Sequence, residues 1–249
     1  MRIITSTQNT PISANAPESP MPENTKHPAL FDTVITSHRD IDVYYQDDHM
    51  AMVAKPADLL TVPGRGPDKA DCLISRIQEN APYARIVHRL DMATSGILVI
   101  AYTPTAHREL SRQFQDRETQ KHYIAVVNGD LVASTGKKSG EVDLPLITDW
   151  PNRPKQKVCH ESGKPSQTLW QVIEHSDDRT RVKLTPITGR SHQLRVHMLA
   201  LGHPILGDNL YACDEALAKS DRLLLHAEQL TVTHPVTQQP ICAKARLDF

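Results

Sequence analysis

The apolar run at residues 96–102 is the sequence feature that most constrains the fold. Its residues, Gly-Ile-Leu-Val-Ile-Ala-Tyr, suit a buried strand, whose backbone must pair with other strands in a sheet. Further strands are predicted at residues 43–45, 50–54, 122–127, 167–174, 181–185, 223–232 and 241–247. Strands and helices interleave irregularly, which favours a mixed α+β sheet domain over a repeat or a doubly wound fold.

Three helices are predicted, two of them from their end signals. The first covers residues 71–79. Thr103 and Pro104 supply an N-cap hydroxyl and a first-turn proline for a second helix, which should end near Arg117. Ser191 and Gly202 bracket a third helix as its N-cap and its C-terminal stop. Residues 128–140 are predicted to be a flexible loop without a function.

Composition excludes several classes of protein. Hydrophobic residues make up 39% of the 249 residues, enough for one sizeable core. A run of about 18 apolar residues and a signal peptide are both missing, so we expect a cytoplasmic protein that does not bind membranes. The 13 histidines and four cysteines show no metal-ligand spacing, and no metal is predicted. Residues 1–40 are rich in proline and lack glycine, which predicts a disordered leader before one domain at 41–249.

The net charge of −1 conceals an uneven distribution of charged residues. Residues 150–200 carry nine basic and four acidic side chains, whereas residues 41–83 carry four basic and seven acidic ones. The chain could therefore present a basic face to an anionic polymer. The alternative is a solvated face whose charges pair locally, and the count alone does not choose between them.

The segment His-Arg-Leu-Asp-Met-Ala-Thr-Ser-Gly at residues 88–96 leads into the predicted buried strand. A carboxylate on a loop just ahead of a core strand is held rigidly and stays reachable, so Asp91 is a candidate nucleophile or base. The alternative is a loop salt bridge between Arg89 and Asp91, with Thr94 and Ser95 capping a turn.

A second segment, at residues 188–197, combines Gly189, Arg190 and His192 with the predicted third helix. On that helix Leu194 and Arg195 share a face with Ser191, so Arg195 could reach inward beside a carboxylate or hold a phosphate. The alternative is an ordinary amphipathic helix with Arg190 and His192 in solvent.

A third segment, at residues 149–157, contains two prolines that oppose a helix and three basic side chains, Arg153, Lys155 and Lys157. An extended basic loop suits RNA phosphates, with Trp150 available to stack on a base. The alternative is an exposed linker with incidental charge.

Together these segments resemble the RluA family of pseudouridine synthases. The resemblance is carried by the motif at residues 88–96, by Lys55-Pro56, by Lys-His-Tyr-Ile-Ala at 121–125 and by Gly-Arg-Ser-His-Gln-Leu-Arg at 189–195. It extends over about residues 45–249. It implies the pseudouridine synthase fold, with a mainly antiparallel sheet, flanking helices and a central catalytic cleft. The S4 RNA-binding domain of larger relatives is not expected.

The resemblance also implies roles for individual residues. Asp91 is the essential carboxylate, Tyr123 packs against the uracil and is a candidate for the base that removes the C5 proton, and Arg195 is the basic partner of Asp91. Arg89 enters the RNA stack in place of the flipped uridine. The other substrate-binding residues that we predict are His88, Leu194, Lys55, Arg190, His192, Arg153, Lys155 and Lys157.

The implied reaction breaks the N1–C1′ bond of a uridine, turns the uracil and joins C5 to C1′, without a cofactor or metal. Two mechanisms stay open, glycal formation and Michael addition to the pyrimidine. Residues 149–158 and 202–208 look most like the dual-specificity members of the family, which act on a 23S rRNA hairpin and on tRNA anticodon stem-loops. We expect a monomer.

Two other functions compete with this one. A glycosidic-bond hydrolase would use Asp91 as nucleophile, but such enzymes usually need a second carboxylate about 5–10 Å away, and the three segments supply none. An RNA-binding module without catalysis would keep its function when Asp91 is replaced by Asn.

Overall fold

The computed structural model describes residues 29–31, 36–38 and 41–249. The predicted leader falls mostly outside the described residues. Within it, however, Ala29–Phe31 (β1) and Thr36–His38 (β2) are short strands that pair with later parts of the chain. Organised structure therefore begins before the boundary that we predicted at residue 41.

The other strands of the described part include all the predicted ones in the predicted order, together with four that were not predicted. They are β3 (Ile41–Gln46), β4 (Met50–Lys55), β5 (Arg85–Ile86), β6 (Ser95–Ala101), β7 (Gln120–Asn128), β8 (Ser139–Asp143), β9 (Leu146–Thr148), β10 (Gln156–Val158), β11 (Gln167–His175), β12 (Arg179–Pro186), β13 (Leu225–Thr233) and β14 (Pro240–Lys244). The helices are α1 (Leu73–Gln78), α2 (Pro104–Gln115), α3 (Leu131–Thr135), α4 (Gln193–Ala200) and α5 (Asp214–Ala218).

Twelve of these strands form one sheet, whose main path runs β2-β3-β4-β6-β13-β7-β12-β11-β8. Its pairings are antiparallel except β1 with β14 and β6 with β13. The short strands β9 and β10 form a separate hairpin. The predicted α+β fold with a mixed, mainly antiparallel sheet is therefore confirmed.

Strand β6 is buried along its whole length, as its apolar sequence predicts. It meets β13 in a parallel pairing of only two residues, His226 with Ser95 and Ala227 with Gly96. Gly96 has a φ of 114°, and a Cβ atom there would collide with the Ala227 backbone. Glycine is thus required where the two halves of the sheet join.

Each half of the sheet has its own large core. One surrounds β4, β6 and α2, and the other surrounds β7, β12 and α4. Tyr123 on β7 packs against both clusters. A site between the halves therefore has rigid walls on both sides.

Two local predictions are wrong. Residues 128–140 are not simply a loop, because Asp130 caps helix α3 by accepting hydrogen bonds from the N–H groups of Val132 and Ala133. Helix α4 begins at Gln193 and not at Ser191, because the Gln193 side chain accepts from the Arg190 N–H and donates to the Gln167 carbonyl. No helix in the described part is long and apolar enough to span a membrane.

Candidate active site

Asp91 lies on the loop before β6, and the backbone on each side of it is tied down. Thr61 donates from its hydroxyl to the Leu90 carbonyl at 2.9 Å and accepts from the Leu90 N–H at 3.3 Å. Lys55 donates from Nζ to the Met92 carbonyl at 2.8 Å. The loop thus holds Asp91 in a fixed position beside a large cavity.

Lys55 binds the backbone of this loop and does not line the cavity. Its side chain is 1% exposed, and its Nζ also donates to the carbonyls of Pro56 and Leu59. Burial lowers the pKa of Lys55 to about 7, although three carbonyl acceptors match the three N–H groups of the charged amine. In this structure all its donors are engaged with the backbone, and the predicted contact of Lys55 with substrate stays a prediction.

Two nitrogen-bearing side chains face the Asp91 carboxylate. Arg195 Nη1 lies 3.8 Å and His192 Nε2 lies 3.9 Å from Asp91 Oδ2. The Asp91 side chain is 31% exposed, so it opens to the cavity while both partners are more deeply buried. The predicted approach of Arg195 to Asp91 is therefore present in the structure, whereas the loop salt bridge between Arg89 and Asp91 is not among the described contacts.

The main partner of Arg195 is Asp208, to which the sequence analysis gave no role. Arg195 Nε and Nη2 donate to the two Asp208 oxygens at 2.8 and 2.6 Å, and both side chains are almost fully buried. Asp208 also accepts from the N–H groups of Leu210 and Tyr211. Burial disfavours the charge on Arg195, but the hydrogen bonds and charge of Asp208 outweigh it and raise the pKa of Arg195.

His192 is oriented by a hydrogen-bond chain that starts in the basic loop. The Gln156 N–H donates to the Tyr211 hydroxyl at 2.7 Å, and that hydroxyl lies 2.7 Å from His192 Nδ1. Because the hydroxyl already accepts from Gln156, we assign its proton to Nδ1, which leaves the Nε2 proton of neutral His192 facing Asp91. Burial lowers the pKa of His192, in agreement with a neutral ring.

The delayed start of α4 is what brings His192 into this position. His192 adopts a left-handed conformation, with φ of 54°, one residue before the helix. If the helix had started at Ser191, His192 would have helical φ and ψ angles and its side chain would point in a different direction. The prediction that His192 lies at the site is thus compatible with the geometry, although the predicted helix start is wrong.

Tyr123 and Leu194 line the same cavity, as the resemblance implied. Burial, followed by the charge of Asp91, raises the pKa of Tyr123 well above its ordinary value. The phenol is therefore protonated at neutral pH. Burial of the ring against both cores suits the predicted packing of Tyr123 on the uracil, and its role as the base that removes the C5 proton stays a prediction.

His88 and Arg89 are neighbours with different environments. His88 Nε2 accepts from the Val99 N–H, and its ring stacks on Phe114 with centroids 4.1 Å apart. Burial lowers the pKa of His88 to about 3, so it is a neutral support of β6 with little capacity to bind a phosphate. Arg89 is exposed, lines the cavity and forms no ion pair with a described residue.

The basic loop at 149–157 is more ordered than predicted. Trp150–Asn152 form a single 3-10 turn, and Gln156–Val158 pair with β9. The Arg153 guanidinium lies 4.0 Å from the centroid of the Trp150 ring, which is 65% exposed. Lys157 pairs with Asp149 at 3.2 Å, while Pro154 reaches the cavity wall. Arg153, Lys155 and Lys157 therefore lie outside the cavity lining, on a loop that borders it.

The cavity measures about 890 Å³ and is lined by residues from both halves of the sheet. Among the described residues, Asp91 is its single carboxylate, and its cationic side chains are Arg89, Arg117, Lys121, Arg190 and Arg195. Arg117 and Lys121 were not predicted as site residues. No group of three or more His, Cys, Asp or Glu in the described part could hold a metal ion.

Comparisons with known proteins identify the family of this chain. The family model described as RNA pseudouridylate synthase matches residues 49–200. The dual-specificity RNA pseudouridine synthase RluA of Escherichia coli K12 is 59% identical over 83% of this chain and 93% of its own length. The Yersinia pestis protein of the same name is 58% identical over 83% of this chain and 99% of its own.

A solved structure shares the fold. Human RNA pseudouridylate synthase domain containing 1 matches with a TM-score of 0.70 and 28% identity, over 83% of this chain and 84% of that one. The matched family model includes the Asp91 loop, Tyr123 and Arg195. The chain therefore belongs to the RNA pseudouridylate synthase family, as its motifs predicted.

Proposed function

We propose that this protein converts specific uridines in RNA to pseudouridine, with Asp91 as the essential group. The observation that carries the proposal is the position of Asp91, a fixed and partly exposed carboxylate in a cavity otherwise lined by cationic, polar and apolar residues. A carboxylate with this access can act on the nucleotide, while the surrounding cations attract the phosphates on either side of it.

The proposed reaction balances within one nucleotide. The N1–C1′ bond breaks, the uracil turns in the cavity, C5 bonds to C1′, a proton leaves C5 and a proton is taken up at N1. Asp91 initiates the reaction at the sugar in the glycal route or at the pyrimidine ring in the Michael route. Arg195, held by Asp208, keeps a positive charge 3.8 Å from the carboxylate throughout.

Tyr123 and Leu194 would pack against the turning uracil and exclude water from it. We propose that Tyr123 in its ionised form, a bound water or Asp91 itself accepts the C5 proton, and the raised pKa of Tyr123 makes the ionised form scarce at neutral pH. His192, with Nε2 3.9 Å from the carboxylate, would attract Asp91 electrostatically through its Nε2 proton and so favour one orientation of it.

Base access requires that the uridine leave the RNA stack, at a cost of a few kcal/mol. Arg89 lines the cavity and forms no ion pair with any residue that the structure describes, so it can fill the gap that the uridine leaves. Trp150 with Arg153 offers a stacking surface at the border, and Arg190, Lys155 and Lys157 offer phosphate contacts.

We propose the 23S rRNA hairpin and the tRNA anticodon stem-loop as the substrates, in line with the name of its bacterial relatives. We further propose that the protein is a cytoplasmic monomer that needs no cofactor or metal.

A glycosidic-bond hydrolase is the nearest alternative, and Asp208 is the observation that bears on it. Asp208 supplies a second carboxylate beyond Arg195, but both its oxygens bind that guanidinium and backbone N–H groups. It is fully buried and cannot activate a water or protonate a leaving group. The site therefore favours isomerisation over hydrolysis.

Tritium release tests the proposal. RNA fragments of 23S rRNA and tRNA, transcribed with 5-tritiated uridine, are incubated with wild type and with Asp91→Asn, and binding is measured in parallel. We expect release by the wild type alone, with RNA bound by both proteins. Binding by both without any release would instead support the RNA-binding module, and free uracil among the products would support the hydrolase.

A further inference from the structure

Lys121 is a cavity residue to which the proposed chemistry gives no role. It lies on β7, two residues before Tyr123, with Nζ 5.8 Å from the centroid of the Phe114 ring. On its other side, a Cβ atom built on Gly189 would lie 3.9 Å from Nζ. The ammonium group thus lies between the end of α2 and the backbone of the Gly189 segment, both of which line the cavity.

The charged group that acts on Lys121 is another cation, Arg117. Lys121 forms no ion pair with any described residue, and Asp91 is the single acid in the described cavity lining. Burial, and then the positive charge of Arg117, lower the pKa of Lys121. A half-buried ammonium beside another cation is costly unless an anion joins it. The described residues that line this end of the cavity supply no such anion.

Arg117 is left unpaired by its own neighbours. Asp116 and Glu118, the acids on either side of it, both bind Arg112. Arg117 itself lines the cavity and has a left-handed φ of 61° just after α2, a position that glycine occupies at much lower cost. The Glu118 N–H donates to the Gln113 carbonyl at 2.9 Å, so the conformation of Arg117 closes the end of α2. Glycine would close it equally well, whereas arginine adds a cation at the cavity that forms no ion pair with a described residue.

We propose that Lys121 and Arg117 form a phosphate subsite that binds an RNA phosphodiester next to the target uridine. The subsite rests on the proposed function, because an RNA strand entering the cavity supplies the missing anion. It lies at the α2 end of the cavity, whereas Arg195 and His192 surround Asp91. Two separated cationic points would fix the strand on both sides of the flipped base.

The salt dependence of RNA binding tests the subsite. Affinity of a fluorescent tRNA anticodon stem-loop is titrated at several salt concentrations with Lys121→Gln and Arg117→Gly, each in the Asp91→Asn background, which prevents turnover. Loss of one phosphate contact should weaken binding roughly tenfold and lower the slope of log Kd against log salt by about 0.7–0.9. Lys137→Gln, which removes an exposed lysine outside the cavity lining, is the charge-matched control and should change neither.

Stability and activity controls separate the possible failures. Arg117→Gly relieves the left-handed strain, so its urea midpoint should not fall, and any loss of affinity cannot come from unfolding. Unchanged slopes in both variants, or an equal loss in Lys137→Gln, would overturn the subsite while wild-type tritium release leaves the proposed function standing. A wild type that neither binds nor turns over RNA would remove both.

Discussion

Replacing Asp208 by Asn tests whether the buried pair with Arg195 organises the site. The Arg195 side chain is 3% exposed and that of Asp208 is 0% exposed, so the guanidinium has no water to replace its partner. Removing one member of a buried pair costs about 3–5 kcal/mol. Asn can place its oxygen where Oδ1 accepts from Leu210 and Tyr211, but its NH₂ group then faces the Arg195 Nε donor, so we expect a loss of about 3 kcal/mol in unfolding free energy.

Urea unfolding measures this loss, and a double-mutant cycle assigns it. Arg195→Gln alone should cost a similar amount, because it leaves a buried carboxylate unpaired. The double variant Asp208→Asn/Arg195→Gln removes both charges and should be clearly more stable than the sum of the single losses predicts. Asp178→Asn, which breaks an exposed pair with Arg179, is the control and should leave the unfolding free energy nearly unchanged.

Activity should respond as well as stability. Without Asp208 the guanidinium is free to shift from its position 3.8 Å from Asp91, and a shift of about 1 Å can cost roughly 100-fold in rate. The tritium-release rate should fall to that extent when it is measured without urea, at a temperature at which Asp208→Asn is folded. The role that we give to the buried pair would be refuted if Asp208→Asn lost less than about 1 kcal/mol of unfolding free energy. It would also be refuted if the losses of the two single variants added up to the loss of the double variant.

Three further predictions concern the groups around Asp91. Burial lowers the pKa of Lys55 to about 7 in the folded protein, whereas the ordinary value of 10.5 applies in the unfolded chain. Between these two pH values the unfolded state binds more protons than the folded state, so the free energy of unfolding should rise with pH. Urea unfolding at several pH values should show an added slope of up to about 1.4 kcal/mol per pH unit in wild type that Lys55→Met lacks, and equal slopes would contradict the assignment. Tyr211→Phe removes the hydroxyl that joins Gln156 to His192, and we expect kcat to fall about tenfold with little change in RNA affinity; an unchanged kcat would show that this chain does not position His192. Arg89→Ala should reduce catalysis more than RNA affinity, and equal losses in parallel rate and binding assays would count against a role in base flipping.

Capping residues and apolar runs in the sequence predicted those helices and strands whose ends depend on neighbouring residues. Thr103 caps α2 by accepting from the Ala106 N–H, with Pro104 in the first turn, as its sequence indicates. The apolar run at 96–102 is the buried strand β6. The position of Asp91 ahead of that strand was also predictable, because a polar loop and a core strand adjoin in the sequence.

Contacts between distant segments were not predictable from one sequence. Asp208 meets Arg195 because a tight turn at Gly207, with φ of 69°, packs directly against the Arg222 carbonyl. A Gly-Asp pair is a common turn signal and does not reveal which cation it will face. The start of α4 likewise depends on Gln167 and Thr168, far away in the chain, which hold the Gln193 side chain out of a regular helical turn.

The two-residue junction of β6 with β13 has a kinetic consequence. Asp91 belongs to the half of the sheet that precedes the junction, whereas Arg195, Asp208 and Tyr123 lie in or between the later elements. Joining the halves closes a loop of more than a hundred residues, and such non-local pairings form late. During refolding, secondary structure should therefore return well before the Asp91 carboxylate meets Arg195, which makes recovery of the active site a marker for the final docking step.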